Sequence, residues 1–153
     1  MRLVDNFRLS GFILLALGIT ACNTIAPYNQ KSFELTTAVK AEALTMLDKA
    51  STDYKSNEKE IDALKLDVEK AYEFANGIPK NEVVVAMWKE VKGYTYDMNK
   101  KAWVTSDNGN LYSTLSLWKT KSKLNQAAIV EKKKQISDIF DQIISLESGK
   151  NKL

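Results

Sequence analysis

In the stretch from Ser32 to Glu147, the apolar residues of this chain recur three and four positions apart in five separate runs, with little to interrupt them. The 153 residues contain only 6 glycines and 2 prolines. That scarcity favours long helices over short strands and frequent turns. Leu35, Val39, Ala43, Met46, Leu47 and Ala50 predict a first helix over 32–54, with Lys40, Glu42, Asp48 and Lys49 on its other face. Ile61, Leu64, Val68, Ala71, Tyr72 and Ala75 predict a second over 58–76. Asn57 and Glu60 are spaced as a capping box for it, and Gly77-Ile78-Pro79 reads as a left-handed stop, an apolar follower and a breaker. A third helix over 82–92 is capped by Asn81 and stopped by Gly93, with Val84, Met87, Trp88 and Val91 facing inward. Its β-branched run, Val83-Val84-Val85, also fits a strand. Asn110 caps a fourth over 111–122, with Leu111, Leu115 and Trp118 inward. A last helix over 126–147 carries Ile129, Ile136, Ile139, Phe140, Ile143 and Ile144, and Gly149 ends it.

Between the third and fourth runs the period changes. Residues 93–98 alternate, Asn99-Lys100-Lys101 is a polar turn, and Ala102-Trp103-Val104 follows. That pattern admits a small hairpin at 94–104. Residues 106–110 read as loop. Short joins place neighbouring helices side by side, so the expected fold is all-α, an antiparallel bundle of four to five helices.

The amino terminus obeys a different rule. Arg2 and Arg8 precede about nine apolar residues, Gly11 to Ile19, followed by Thr20-Ala21-Cys22. A spanning helix needs roughly 20 apolar residues, whereas this run has the length of a signal-peptide core. On its residues alone it also admits a plain secretory signal or a short uncleaved anchor, with Cys22 incidental. Ile19-Thr20-Ala21-Cys22 resembles the lipobox of bacterial lipoproteins: an aliphatic residue, a spacer, a small residue and cysteine. The resemblance covers residues 1–23. It implies diacylglycerol transfer to the Cys22 sulfur, cleavage between Ala21 and Cys22, and acylation of the new amino terminus. Several acyl chains anchor stably where one binds marginally. Asn23, in place of aspartate, resembles the enterobacterial signal for transfer to the outer membrane of a Gram-negative cell, with the domain facing the periplasm. The rest of the chain is similar to small helical lipoproteins of such bacteria, a likeness that implies no activity. The expected organisation is a signal peptide at 1–21, a lipidated tether at 22–31, a bundle domain at 32–148 and a tail at 149–153.

Composition narrows the chemistry. The chain has no histidine and one cysteine. Histidine-based zinc, copper and iron sites, Ser–His and Cys–His dyads and an internal disulfide are therefore excluded. No metal site or cofactor is expected. The only arginines are Arg2 and Arg8 in the leader, and the net charge is +3. Without arginine forks or a strong positive field, nucleic acid is not an expected partner.

Paired carboxylates occur at Glu58 and Asp62, at Glu69 and Glu73, and at Asp138 and Asp141. A carboxylate hydrolase would need two of them facing one cleft. On lysine-rich helical faces they read instead as solvated surface, and no catalytic residue is assigned. Asp107-Asn108-Gly109-Asn110 looks like a calcium turn but lacks the ligand alternation and terminal glutamate of a full loop. Lys132-Lys133-Lys134 reads as a solvated helix face, or as a weak contact for anionic headgroups near the tether.

The aromatic cluster at 88–118 is the richest feature. Trp88 and Trp118 lie on helical stripes and belong to the core. Tyr94, Tyr96 and Trp103 lie in the irregular segment, where they either pack the end of the bundle or form a binding surface. The expected function is thus non-catalytic: a lipid-held helical domain that binds another envelope protein in an assembly, pilotin-like or exclusion-type role. The alternative is a peptidoglycan-binding module that uses Tyr94, Tyr96 and Trp103.

Overall fold

The five runs are helices in the computed structural model, which describes residues 25–106 and 110–152. Cys22, Ala21, the leader and Asp107-Asn108-Gly109 lie outside the described residues. Helix α1 spans Gln30–Asp48, α2 Tyr54–Asn76, α3 Glu82–Val91, α4 Leu111–Lys121 and α5 Gln126–Gly149. A two-stranded antiparallel hairpin, β1 Tyr94–Asp97 and β2 Ala102–Thr105, sits between α3 and α4. The architecture is therefore a mostly helical bundle carrying one small hairpin, and the valine run of α3 is helical.

The helix boundaries depart from the local signals at two places. Helix α1 stops at Asp48 rather than at 54, and a single 3-10 turn, Lys49–Ser51, follows. Thr52 and Asp53 are then extended, and the Asp53 carboxylate accepts the Lys55 N–H at 2.8 Å as the cap of α2. Asn57 is a buried residue one turn inside the helix, and its amide donates to Thr52 Oγ1 and the Asp53 carbonyl. The early start of α2 has a tertiary cause: the Tyr54 N–H donates to the Ser122 carbonyl at 2.9 Å. Gly77 is right-handed, at φ −76°, so it is not the expected left-handed stop. Its N–H still bonds to the Glu73 carbonyl, and the left-handed residue comes after Pro79, at Lys80 (φ 62°).

Helix α1 packs between α5 and α2, α3 lies on α5 and α2, and α4 covers part of α2. The largest buried side chains interlock across these seams. Trp88 meets Phe140 edge-on at 5.8 Å, and Tyr54 meets Trp118 at 5.5 Å. Aromatic pairs of this kind add about 0.5–1.5 kcal/mol to the burial of their area. On the outside, Lys40–Asp141 (2.6 Å) and Lys133–Asp48 (2.5 Å) bridge α1 and α5.

The second of these bridges sets the lysine run Lys132-Lys133-Lys134 away from the tether. Asp48 ends a helix of 19 residues, which puts Lys133 about 28 Å from the helix start where the tether joins. The expected tail at 149–153 also begins inside the fold. The Lys150 side chain is 5% exposed and forms an ion pair with the fully buried Glu147 at 3.0 Å. Among the described residues, no helix is long and apolar enough to cross a membrane.

Candidate functional site

The hairpin owes its shape to three local devices. Gly93 (φ +87°) turns the chain out of α3, and the Ser106 N–H donates to its carbonyl at 2.8 Å to close the base. A Cβ at Gly93 would stand 3.2 Å from the Asn110 side-chain oxygen, in a backbone region that L-residues avoid. At the tip, the Asp97 carboxylate accepts the N–H groups of Asn99 (2.9 Å) and Lys100 (3.1 Å), and Lys101 takes the left-handed conformation needed to re-enter β2. The register then sets Tyr96 opposite Trp103.

That cross-strand pair is the centre of the candidate site. The two rings meet edge-on at 5.6 Å, with planes 70° apart. Tyr96 is 45% exposed and Trp103 is half-buried. The Lys89 ammonium sits 4.9 Å from the Trp103 ring centre, a cation–π contact. Opposite the aromatics stand the α2–α3 connection with the helix ends that flank it (loop 76–82) and the Val85, Ala86 and Lys89 face of α3. Together they enclose a groove of about 720 Å³. That volume lies within the range of small-ligand and peptide-side-chain sites. Its surfaces alternate apolar groups (Ile78, Pro79, Val85, Trp103) with Asn76, Glu82 and Lys89.

Of the three aromatics singled out by sequence, two come together. Tyr94 is 39% exposed, and it borders a separate small cleft with Glu90, Asn110 and Ile139. It also approaches Tyr112, whose phenol is raised well above its ordinary pKa, chiefly by burial and then by the charge of Glu69. The Tyr112 hydroxyl donates to Glu69 Oε1 at 3.0 Å, and the Lys92 ammonium holds Glu69 Oε2 at 2.7 Å while lying 4.0 Å from the Tyr72 ring centre. Glu69 is thus part of a clamp joining α2, the end of α3 and α4, while Glu73 is exposed. Glu58 faces Lys119 at 3.5 Å, Asp62 and Asp138 are exposed, and Asp141 is held by Lys40. Among the described residues, no group of three or more cysteines or carboxylates is arranged to hold a metal ion.

Behind the groove lies a polar knot. Glu147 Oε1 accepts from Lys150 Nζ at 3.0 Å and from the Ser32 hydroxyl at 3.1 Å. Lys150 Nζ also donates to Asn81 Oδ1 at 2.7 Å, and the Asn81 amide donates to the Ala75 carbonyl at 3.0 Å. Asn81 is therefore not the side-chain cap of α3, because its amide is turned inward to hold loop 76–82. The tether meets the same loop: the N–H of the buried Ala26 donates to the Lys80 carbonyl at 3.0 Å.

Lys89, loop 76–82 and the knot were missed at the level of sequence. For Lys89 there was no signal, since its contact with Trp103 is tertiary. For Glu147 there was one. The seam Ile129, Ile136, Phe140, Ile143 continues at heptad-like spacing onto Glu147, so a charged residue stood at an inward position. In comparisons with known proteins, no family model, curated protein or solved structure matches this chain.

Proposed function

We propose that this protein is a non-catalytic, lipid-anchored component of the bacterial envelope that binds a segment of another envelope protein in the hairpin groove. The observation that carries the reading is the pair Tyr96–Trp103, which is left partly open to solvent along one wall of a groove of about 720 Å³. Aromatic rings with one apolar body and one polar edge are the groups that most often dominate protein interfaces. A bundle with its own complete aromatic core, Trp88 with Phe140 and Tyr54 with Trp118, has no packing need for two more rings at its surface. The lipid anchor on Cys22 and the outer-membrane, periplasm-facing location belong to this proposal and rest on the lipobox resemblance.

A protein segment suits the groove better than a glycan does. Sugars stack on flat, open ring faces. Here one face of Trp103 is covered by Lys89, and the 70° angle to Tyr96 makes a notch in place of a platform. A notch floored by Val85 and Ala86 takes an apolar side chain.

The test is chemical cross-linking in intact cells followed by affinity purification, comparing the native chain with Tyr96→Ala/Trp103→Ala. A cross-linked protein recovered with the native chain and reduced at least about tenfold by the double substitution is the expected result. Equal recovery, at unchanged thermal stability, would defeat the reading. Co-sedimentation with peptidoglycan sacculi that disappears in the same variant would transfer the groove to a glycan.

A further inference from the structure

The two most exposed large apolar side chains among the described residues are Met98 (78%) and Val83 (64%). Neither lines the groove, but each is close in sequence to a residue that does. Met98 is at the hairpin tip, two residues beyond Tyr96, and Val83 is in the first turn of α3, beside loop 76–82. A third, Ile25 (53%), precedes Ala26, whose N–H is bonded to that same loop. The tip also carries Lys100 and Lys101, both exposed. Asp97 is largely occupied with the tip N–H groups and Lys100, and Lys101 has no carboxylate partner among the described residues. Apolar side chains that protrude from a polar surface, interleaved with lysines, match the boundary between acyl chains and anionic headgroups.

The chain length says which surface lies opposite. Cys22 precedes Ala26 by four residues, which span at most about 14 Å when stretched. A lipid on Cys22 therefore holds the Ala26–Lys80 contact within one headgroup layer or so of the bilayer. The lysine run at 132–134 is held at the far end.

We infer that the tether end is a membrane-contact face, with Ile25, Val83 and Met98 set into the interface of an anionic bilayer and Lys100 and Lys101 on its phosphates. The inference rests on the proposed anchor at Cys22. It fixes the orientation of the molecule: the bundle stands on its groove-bearing end, and the groove opens sideways along the membrane, so its partner is reached close to the surface. The exposed apolar residues at this end then have a lipid partner, while Leu66 midway along α2 and Val130 toward the far end, comparably exposed, face water.

The last contrast supplies the control. The full chain, produced with its leader, is reconstituted into vesicles of phosphatidylethanolamine with a minority of phosphatidylglycerol. An environment-sensitive fluorophore is placed in turn on Met98→Cys, Leu66→Cys and Val130→Cys. The expected result is a label at 98 that is shielded from aqueous iodide at least about fivefold relative to those at 66 and 130, and quenched by brominated acyl chains. Lys100→Glu/Lys101→Glu should remove at least about half of that shielding. Vesicle flotation with equal iodide access at all three positions would overturn the contact face and leave the anchor standing. Failure to float would overturn both. Shielding at 98 that appears in detergent without lipid, and grows with protein concentration, would assign the face to a second copy of the chain and also overturn the inference.

Discussion

The two ends of the bundle solve one problem, the closing of helix termini over a core, by opposite means. At the far end α1 passes into α2 and α4 into α5, and the closure is neutral. Ala50 and Leu124 are buried there, and the Leu124 N–H donates to the Ala50 carbonyl at 2.8 Å. The indole N–H of the buried Trp118 is shared between the carbonyls of Thr52 and Ser122 at 3.0 and 3.1 Å. At the tether end the closure is ionic: Glu147 and Lys150 are buried together and tie in Ser32 and Asn81. The neutral end seals its aromatics inside. The ionic end holds its loop from behind with polar bonds and leaves Tyr96 and Trp103 available at the front. A helix end closed by apolar mass has little left to offer a partner, whereas one pinned by a few directional bonds can keep an open surface without losing its shape.

The largest test of this contrast is at the neutral end. Trp118→Ala removes a fully buried ring and is expected to cost about 3–5 kcal/mol, measured by urea unfolding. A loss below about 1 kcal/mol would mean that the far end is not closed by that ring. Next in size is the ionic end. Lys150→Met strands a buried carboxylate and should cost about 3 kcal/mol, while Glu147→Met/Lys150→Met should recover most of the loss, since exchanging a whole buried pair for apolar groups is often neutral. If the double variant is no more stable than the single one, the knot is not a matched pair. The two ends would then behave alike.

Gly93→Ala probes the hinge that presents the aromatic face. The positive φ and the 3.2 Å approach to Asn110 predict a loss of about 1–2 kcal/mol, visible as a lowered unfolding temperature. Glu42→Gln is the smallest effect. Partial desolvation, and secondarily Asp67, raises the carboxyl of the largely exposed Glu42 above its ordinary pKa. The folded state therefore holds that proton better than the unfolded chain does, and this contribution to stability is present at low pH and lost as pH rises past the ordinary carboxylate range. Solvent screens so exposed a carboxyl, so the glutamine variant should gain no more than about 0.2 kcal/mol near pH 7 and nothing near pH 3, by thermal unfolding at both pH values. A gain that is larger at acid pH would reverse the assignment.

Much of this was legible in the chain. The stripes on α2, α3 and α5 state which residues are inside, because a helix repeats every 3.6 residues and its buried face is written in that period. The caps at Asn110 and the alternation around Tyr96 and Trp103 are equally local. The break between α1 and α2 was misplaced, because Asn57 looks like a cap until the Tyr54 N–H finds Ser122, more than sixty residues away. Glu147 is legible only in part: its spacing marks it as inward, but an inward glutamate is acceptable only if a cation arrives to meet it. That cation, Lys150, stood in what looked like a tail.

The sequence by itself determined the elements, their inward faces and the aromatic content of the hairpin, since these follow from residue type and from neighbours within a turn or a strand. Only the tertiary structure decided that Lys89 lies on Trp103, that loop 76–82 faces the hairpin to make a groove, and that α1, this loop and the residues after α5 meet at one buried charge pair. Those depend on which surfaces come within a few ångströms of each other. Side-chain periodicity says which face a residue is on, but not which distant residue will stand opposite it.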